Sequence, residues 1–185
     1  HVILNGMIPY EHRPSDIEKL IDQPFLFKRL NSQDYHSVYP VINQIAFVGS
    51  ACIYKWFGFH AGTIFLRLFL ALCEISTIWL LLRWLNKMQI PYERLGWIVL
   101  NPLIIIETYG NLHFEMVMIG FLLLGLIHAH SPIKKGLALA LSGASKLLSL
   151  MIIPFLLFSK SEKLKVKFIG AFSLFYLILF LPVLW

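Results

Sequence analysis

From residue 63 to residue 84 the chain carries only three charges, Arg67, Glu74 and Arg83, in a run that is otherwise largely apolar. That length matches the roughly 20 residues a helix needs to cross the hydrocarbon core of a bilayer. Residues 92–109, 113–126, 136–158 and 168–185 are also apolar, and short charged joints separate them. Backbone N–H and C=O groups in such surroundings must find partners within their own segment, as a helix provides. The fold class expected is therefore all-α, a polytopic transmembrane helical bundle.

Composition removes the main competitors. Of 185 residues, 58% are apolar by type and 14% are charged, where a soluble domain is about a quarter charged and less than half apolar. The net charge of +6 raises nucleic acid as a partner, but the lysines and arginines sit between apolar runs and form no continuous basic face, so none is expected. Cys52 and Cys73 fall inside apolar segments and make neither a disulfide framework nor a metal site.

The distribution of polarity divides the chain. Residues 1–38 hold Glu11, Asp16, Glu18, Asp22 and Asp34, five of the ten acidic residues, and prolines at 9, 14 and 24 leave room for only short helices. Residues 39–59 are moderately apolar, with Tyr54, Trp56, Phe57 and Phe59 suited to the headgroup level, and read as an interfacial helix. We thus expect residues 1–60 to be an extracytoplasmic loop with juxtamembrane helices and 61–185 the helical bundle. With His at position 1 and an apolar run at the end, the chain reads as an internal piece of a longer polytopic protein.

Three joints are basic: Arg83, Lys87 and Arg94; Lys134 and Lys135; and Lys160, Lys163, Lys165 and Lys167. The positive-inside rule puts all three on the cytoplasmic side. Residues 136–158 then have both flanks basic, which favours a broken hairpin, interrupted near Lys146 and returning at Pro154, over a single span. Asn101-Pro102 is expected to kink the preceding segment.

Ionisable groups inside apolar runs carry the functional signal, because each costs about 2.5–3.5 kcal/mol at the centre of a spanning helix. Arg67 lies near the end of its run and can snorkel, and Glu74 reads as a helix–helix partner. Residues 107–115 pack Glu107, Tyr109, Asn111, His113 and Glu115 into one turn between two runs, more polar groups than helix capping requires. Lys146 follows Ser142, Gly143, Ala144 and Ser145, small residues that allow close approach; it reads equally as a cation for an anion at the membrane interface and as a snorkelling lysine. The chain has no phosphate-binding glycine loop, dinucleotide fingerprint, HExxH or paired Cys ligands.

Four elements in order resemble the polyprenyl-phosphate-dependent GT-C glycosyltransferases, in particular the bacterial mannosyltransferase-like integral membrane proteins. They are Gly6-Met7-Ile8-Pro9-Tyr10, Tyr39-Pro40-Val41-Ile42-Asn43-Gln44, Gly110-Asn111-Leu112-His113-Phe114-Glu115, and Ser145-Lys146 ahead of an apolar stretch ending at Pro154. The resemblance implies inverting transfer of a sugar, with mannose favoured, from a polyprenyl-phosphate donor to a hydroxyl of a glycan or lipid-linked acceptor. It places the reaction at the extracytoplasmic face of a bacterial inner membrane. By resemblance His113 and Glu115 are catalytic, and Tyr39, Gln44, Glu107, Asn111 and Lys146 bind substrate, with no metal and no cofactor. The family's catalytic Asp stands near the end of the first span, which the resemblance locates upstream of His1. Asp16, Asp22 and Asp34 do not occupy the matching place, and Val41 stands where the pattern often has a second proline. The attacking hydroxyl must lose a proton, and the departing phosphate must be stabilised, which explains carboxylates, imidazole and lysine at one site.

Two other classes compete. A secondary transporter also uses broken helices and buried charges, but calls for inverted repeats, and no such repeat is visible. A non-catalytic subunit of a membrane complex would use the polar cluster for helix packing, so substituting His113 would alter assembly alone.

Overall fold

A computed structural model describes residues 3–20, 24–157 and 162–181, so Asp22, Lys160 and residues 182–185 lie outside the described residues. Every regular element among the described residues is helical, as composition and run length imply.

The first long helix, α1 (Val41–Lys87), is interrupted at Gly58, which has φ +83° and ψ −179°. Glycine enters that region without the steric cost that a Cβ imposes. The Ser50 hydroxyl donates to the Gly62 carbonyl at 2.9 Å, whereas a straight helix would hold residues twelve apart about 18 Å from each other. The chain therefore reverses at Gly58, and residues 41–57 lie antiparallel to residues 59–87. Gly49 makes room for the Phe65 ring and Gly62 for the Ser50 and Tyr54 side. Residues 39–59, the expected interfacial helix, supply this first arm. Trp56 and Phe57 stand at its tip with 80% and 74% of their surface exposed.

Helix α2 (Glu115–Ile127) runs parallel to the second arm. Buried Leu70 clusters with Ala46, Phe114 and Val117. Further along, the Thr77 hydroxyl lies 2.8 Å from the Cys73 carbonyl and 3.0 Å from that of Met116. Gly120 sits directly against that hydroxyl. Helix α3 (Pro132–Ser145) returns antiparallel to α2, tied by the Ser142 hydroxyl donating to the Met118 carbonyl at 2.9 Å. Helix α4 (Glu162–Phe180) runs alongside α3 in the same direction, with Gly136 against Ala171 and Phe172 and Gly143 beside Tyr176. Small residues and hydroxyl-to-carbonyl bonds are how apolar helices gain close contact where hydrophobic burial gives little preference.

The broken hairpin expected at residues 136–158 is present in the geometry. Helix α3 stops at Ser145, Lys146 is extended (φ −158°, ψ 125°), and a 3-10 helix (Leu147–Ile152) and a helical turn (Ile153–Leu156) follow. Leu150 folds over Gly143, and Lys135 Nζ donates to the Leu156 carbonyl at 3.2 Å, so the chain comes back along α3. Since α1 and α2 end where α3 and α4 begin, Lys87, Lys134, Lys135 and the lysines of the first turns of α4 gather at one end of the molecule.

By length and composition α1 alone among the described residues is long and apolar enough to cross a membrane, with mean hydropathy 2.0 over its most apolar window. The segments Pro102–Gly110 and Glu115–Ile127 reach that criterion only as a pair bent by 111°. Asn101 and Pro102 cause part of the interruption ahead of them: the Asn101 side chain accepts from the Leu103 amide at 2.9 Å, capping a new turn with Pro at its first position.

The packing gives a direct expectation. A Cβ at Gly136 would lie 2.8 Å from the Phe172 backbone nitrogen, whereas at Gly96 nothing stands within 4 Å. Gly136→Ala should therefore lower stability by about 1–3 kcal/mol, as overpacking does. Gly96→Ala should be neutral or stabilise by roughly 0.5–1 kcal/mol, the difference in helix propensity. Thermal unfolding of the detergent-solubilised chain measures both, and equal effects at the two positions would contradict the α3–α4 contact.

Candidate functional site

The segment ahead of α2 is built to bend. Ile106–Gly110 forms a single π-helical turn, closed by the Asn111 amide donating to the Ile106 carbonyl at 3.0 Å. Such turns are uncommon inside α-helical segments and are frequent at functional sites. Leu112 follows with φ +56°, a left-handed conformation that costs a non-glycine residue on the order of 1–2 kcal/mol. It holds because Leu112 packs against the buried cluster of Leu70, Phe114 and Val117. The reversal that results lets the His113 amide donate to the Glu107 carbonyl at 3.0 Å.

The side chains converge on the same point. His113 Nδ1 lies 2.9 Å from Glu107 Oε2 and 3.7 Å from Glu115 Oε1. Asn111 Nδ2 donates to the other Glu107 oxygen, Oε1, at 3.1 Å. With Nδ1–H given to Glu107, the imidazole tautomer that satisfies the pair leaves Nε2 as an acceptor. From the opposite side Lys146, at the break after α3, pairs with Glu115 Oε1. Glu115 Oε2 is buried. The four side chains are between about a third and a half exposed, from 35% at Glu107 to 49% at His113. They form one partly exposed cluster, with imidazole, ammonium and two carboxylates in contact.

The backbone break is what brings Lys146 into the cluster. A lysine at this position on a continuous α3 would follow the helical path of the buried residues Ser142 and Ser145; the extended conformation at Lys146 redirects it. Phe114 anchors the other side. It is buried, with the Phe47 ring edge-on at 5.6 Å and Phe69 tilted at 6.3 Å.

Of the residues singled out from the sequence, the structure joins Glu107, Asn111, His113, Glu115 and Lys146. Tyr39 reaches the group only through rings: it stands edge-on to Phe47 at 5.2 Å, and Phe47 contacts Phe114. Gln44 is elsewhere. Its amide donates to Ser37 Oγ at 2.7 Å, and it lines a largely apolar cavity of about 360 Å³ with Ile3, Pro9, Tyr10 and Val41. The Tyr10 phenol donates to the Tyr39 carbonyl at 2.7 Å, and burial pushes its pKa above the ordinary value, so it remains a donor. Among the described residues no three His, Cys, Asp or Glu side chains gather as a metal would require.

One contact escapes sequence reasoning. The Tyr109 phenol, in the π turn, approaches the carboxylate of Glu74, which is only 4% exposed. The charge in an apolar run marks Glu74 as needing a partner, but spacing alone has no means of naming a residue from another helix.

A family model described as alpha-(1->6)-mannopyranosyltransferase, N-terminal domain, matches residues 1–160. No curated protein and no solved structure matches the chain.

The Glu115–Lys146 contact can be measured without any assay of activity. A double-mutant cycle with Glu115→Gln and Lys146→Met should return a coupling of about 0.5–1 kcal/mol in thermal unfolding, the range for partly exposed pairs. Coupling indistinguishable from zero would separate the two residues.

Proposed function

The chain belongs to the alpha-(1->6)-mannopyranosyltransferase family, and from that premise we propose that it takes part in transfer of mannose from a polyprenyl-phosphate donor to an acceptor hydroxyl, with inversion. The general conclusion, a glycosyltransferase with a sugar donor and a glycan acceptor, follows from the family. The specific reading rests on one observation: two distant segments, residues 107–115 and the break at Lys146, bring Glu107, His113, Glu115 and Lys146 into a single partly exposed cluster.

In this reading the acceptor oxygen attacks the anomeric carbon from the face opposite the phosphate. The C–O bond to the phosphate breaks with both electrons, and the acceptor gives up its proton. In this reading His113 takes that proton. Its Nδ1–H is held by Glu107, so Nε2 can accept, and the imidazolium that results sits beside a carboxylate. This arrangement supplies proton acceptance from the chain's own residues.

In this reading Lys146 meets the phosphate. A partly exposed ion pair contributes at most about 1 kcal/mol, so its ammonium can exchange Glu115 for a phosphate oxygen at small cost. A cation there is favoured as charge grows on the departing group. Asn111 keeps Glu107 oriented, and Tyr39 supports the cluster through the Phe47 and Phe114 rings. Gln44 serves the cavity beside the first arm of α1, where an apolar substrate segment would lie.

In membranes containing the full-length protein and a polyprenyl-phosphomannose donor, His113→Asn should lower kcat by about 10²- to 10⁴-fold, the usual contribution of a positioned acid–base group. Lys146→Met should lower it by about 10²- to 10³-fold, as for loss of one group that stabilises developing charge. Lys134→Gln, at the far end of α3, should leave it unchanged. Full activity in His113→Asn membranes, at expression equal to wild type, would overturn the assignment.

A further inference from the structure

Glu74 takes no part in the chemistry proposed above, yet among the described residues it is the one acidic residue that is buried, with 4% of its surface exposed. It lies in the second arm of α1, one turn beyond buried Leu70 and just short of Thr77, whose hydroxyl meets the Met116 carbonyl. A carboxylate in that seam loses its water and must find a donor within the fold. The Tyr109 phenol supplies one. An apolar side chain would fill such a place at least as well, because a buried charge seldom stabilises more than a well-packed hydrophobic residue. Packing alone therefore gives no account of an acid here.

Tyr109 belongs to the π turn Ile106–Gly110, which packs against α1. Little burial holds the residues leading into that turn: Leu103, Ile105 and Ile106 are 64%, 43% and 57% exposed. Within it, Thr108 is buried at 3% exposure, Tyr109 reaches Glu74, and Glu107 turns instead to His113 Nδ1 at 2.9 Å. The Asn111 amide on the Ile106 carbonyl and the His113 amide on that of Glu107 close the turn. A π turn carries one residue more than the α-helical turn it replaces. Slipping back to α-helical pairing would carry Glu107 around the axis, and the imidazole would lose the acceptor that sets its tautomer.

We infer that Glu74 is a positioning residue for His113: by holding the Tyr109 phenol, it keeps the π turn in the register that presents Glu107 to the imidazole. The consequence for turnover rests on the transferase reading, whereas the hold on the turn is a property of the fold alone. The two are measured separately.

Hydrogen exchange of the Asn111 and His113 amides in the full-length protein reads the hold. Tyr109→Phe and Glu74→Leu should each speed it by about 3- to 10-fold, as for the loss of one hydrogen bond, with the amides of α3 unchanged. Glu74→Gln keeps a carbonyl oxygen for the phenol and should bring exchange back toward the wild-type rate. In membranes with a polyprenyl-phosphomannose donor, Tyr109→Phe and Glu74→Leu should lower kcat by about 10- to 100-fold, the cost of misplacing a reacting group by about an ångström, with KM little changed. Glu74→Gln should recover most of that loss. In a His113→Asn background Tyr109→Phe should cost nothing further in kcat, as for residues acting as one unit. Glu74→Leu removes a buried charge, so its Tm should hold or rise while kcat falls, a split that a purely structural role does not produce. Unchanged exchange in both Tyr109→Phe and Glu74→Leu would overturn the inference. So would faster exchange with undiminished kcat where His113→Asn is inactive. Full activity in His113→Asn would remove the transferase reading and the effect on turnover with it, and the exchange rates would still decide the hold on the turn.

Discussion

A helix that ends among apolar neighbours leaves amides and carbonyls without water to bind, and each such ending must be closed from within. This chain stops its helices repeatedly, and the closures shape everything around them. Asn101 receives the Leu103 amide. The Ile106 carbonyl receives the Asn111 amide across a π turn, and the Glu107 carbonyl receives that of His113. At the end of α3 the Ser145 hydroxyl donates to the Leu141 carbonyl, the Lys146 amide to that of Ser142, and the Ser149 hydroxyl to that of Lys146. Two of these closures, around residue 110 and around residue 146, face one another, and the polar cluster fills the gap between them.

Between the closures the helices are held by contacts that tolerate almost no change of size. Thr77 is lodged against Gly120, Leu139 against Gly125 and the backbone of Phe172 against Gly136. Interiors packed to this density transmit displacement instead of absorbing it. The cluster therefore stands on rigid supports although its own side chains are partly solvated. That combination suits a site whose members must stay within hydrogen-bond reach while remaining accessible.

How much of this was legible in the sequence depends on whether a residue's type conflicts with its surroundings. Glu107, His113, Glu115 and Lys146 are conspicuous because charge is costly inside apolar runs, and the basic flanks of residues 136–158 argue for the broken hairpin. The Asn101-Pro102 pair announces its own interruption. The reversal at Gly58 does not, since a lone glycine in a helical run ordinarily signals a mild loss of propensity, and the Trp and Phe beside it suit a headgroup position equally well. The partner of Glu74 was invisible because Tyr109 reaches it only after two helices have packed. Gln44 and Tyr39, five residues apart in the motif that carried the resemblance, stay linked by the Gln44 amide donating to the Tyr39 carbonyl at 3.4 Å, although the Tyr39 ring turns toward Phe47 and Gln44 lines the apolar cavity.

The shared oxygen of Glu115 bears on how anything could bind at the cluster. Its Oε1 meets the Lys146 ammonium and lies 3.7 Å from His113 Nδ1, so one carboxylate oxygen faces two nitrogens that come from different segments. An anion that draws the ammonium away leaves that oxygen to the imidazole, and a donor that reaches the oxygen loosens the ammonium. The two halves of the cluster therefore exchange partners instead of acting separately.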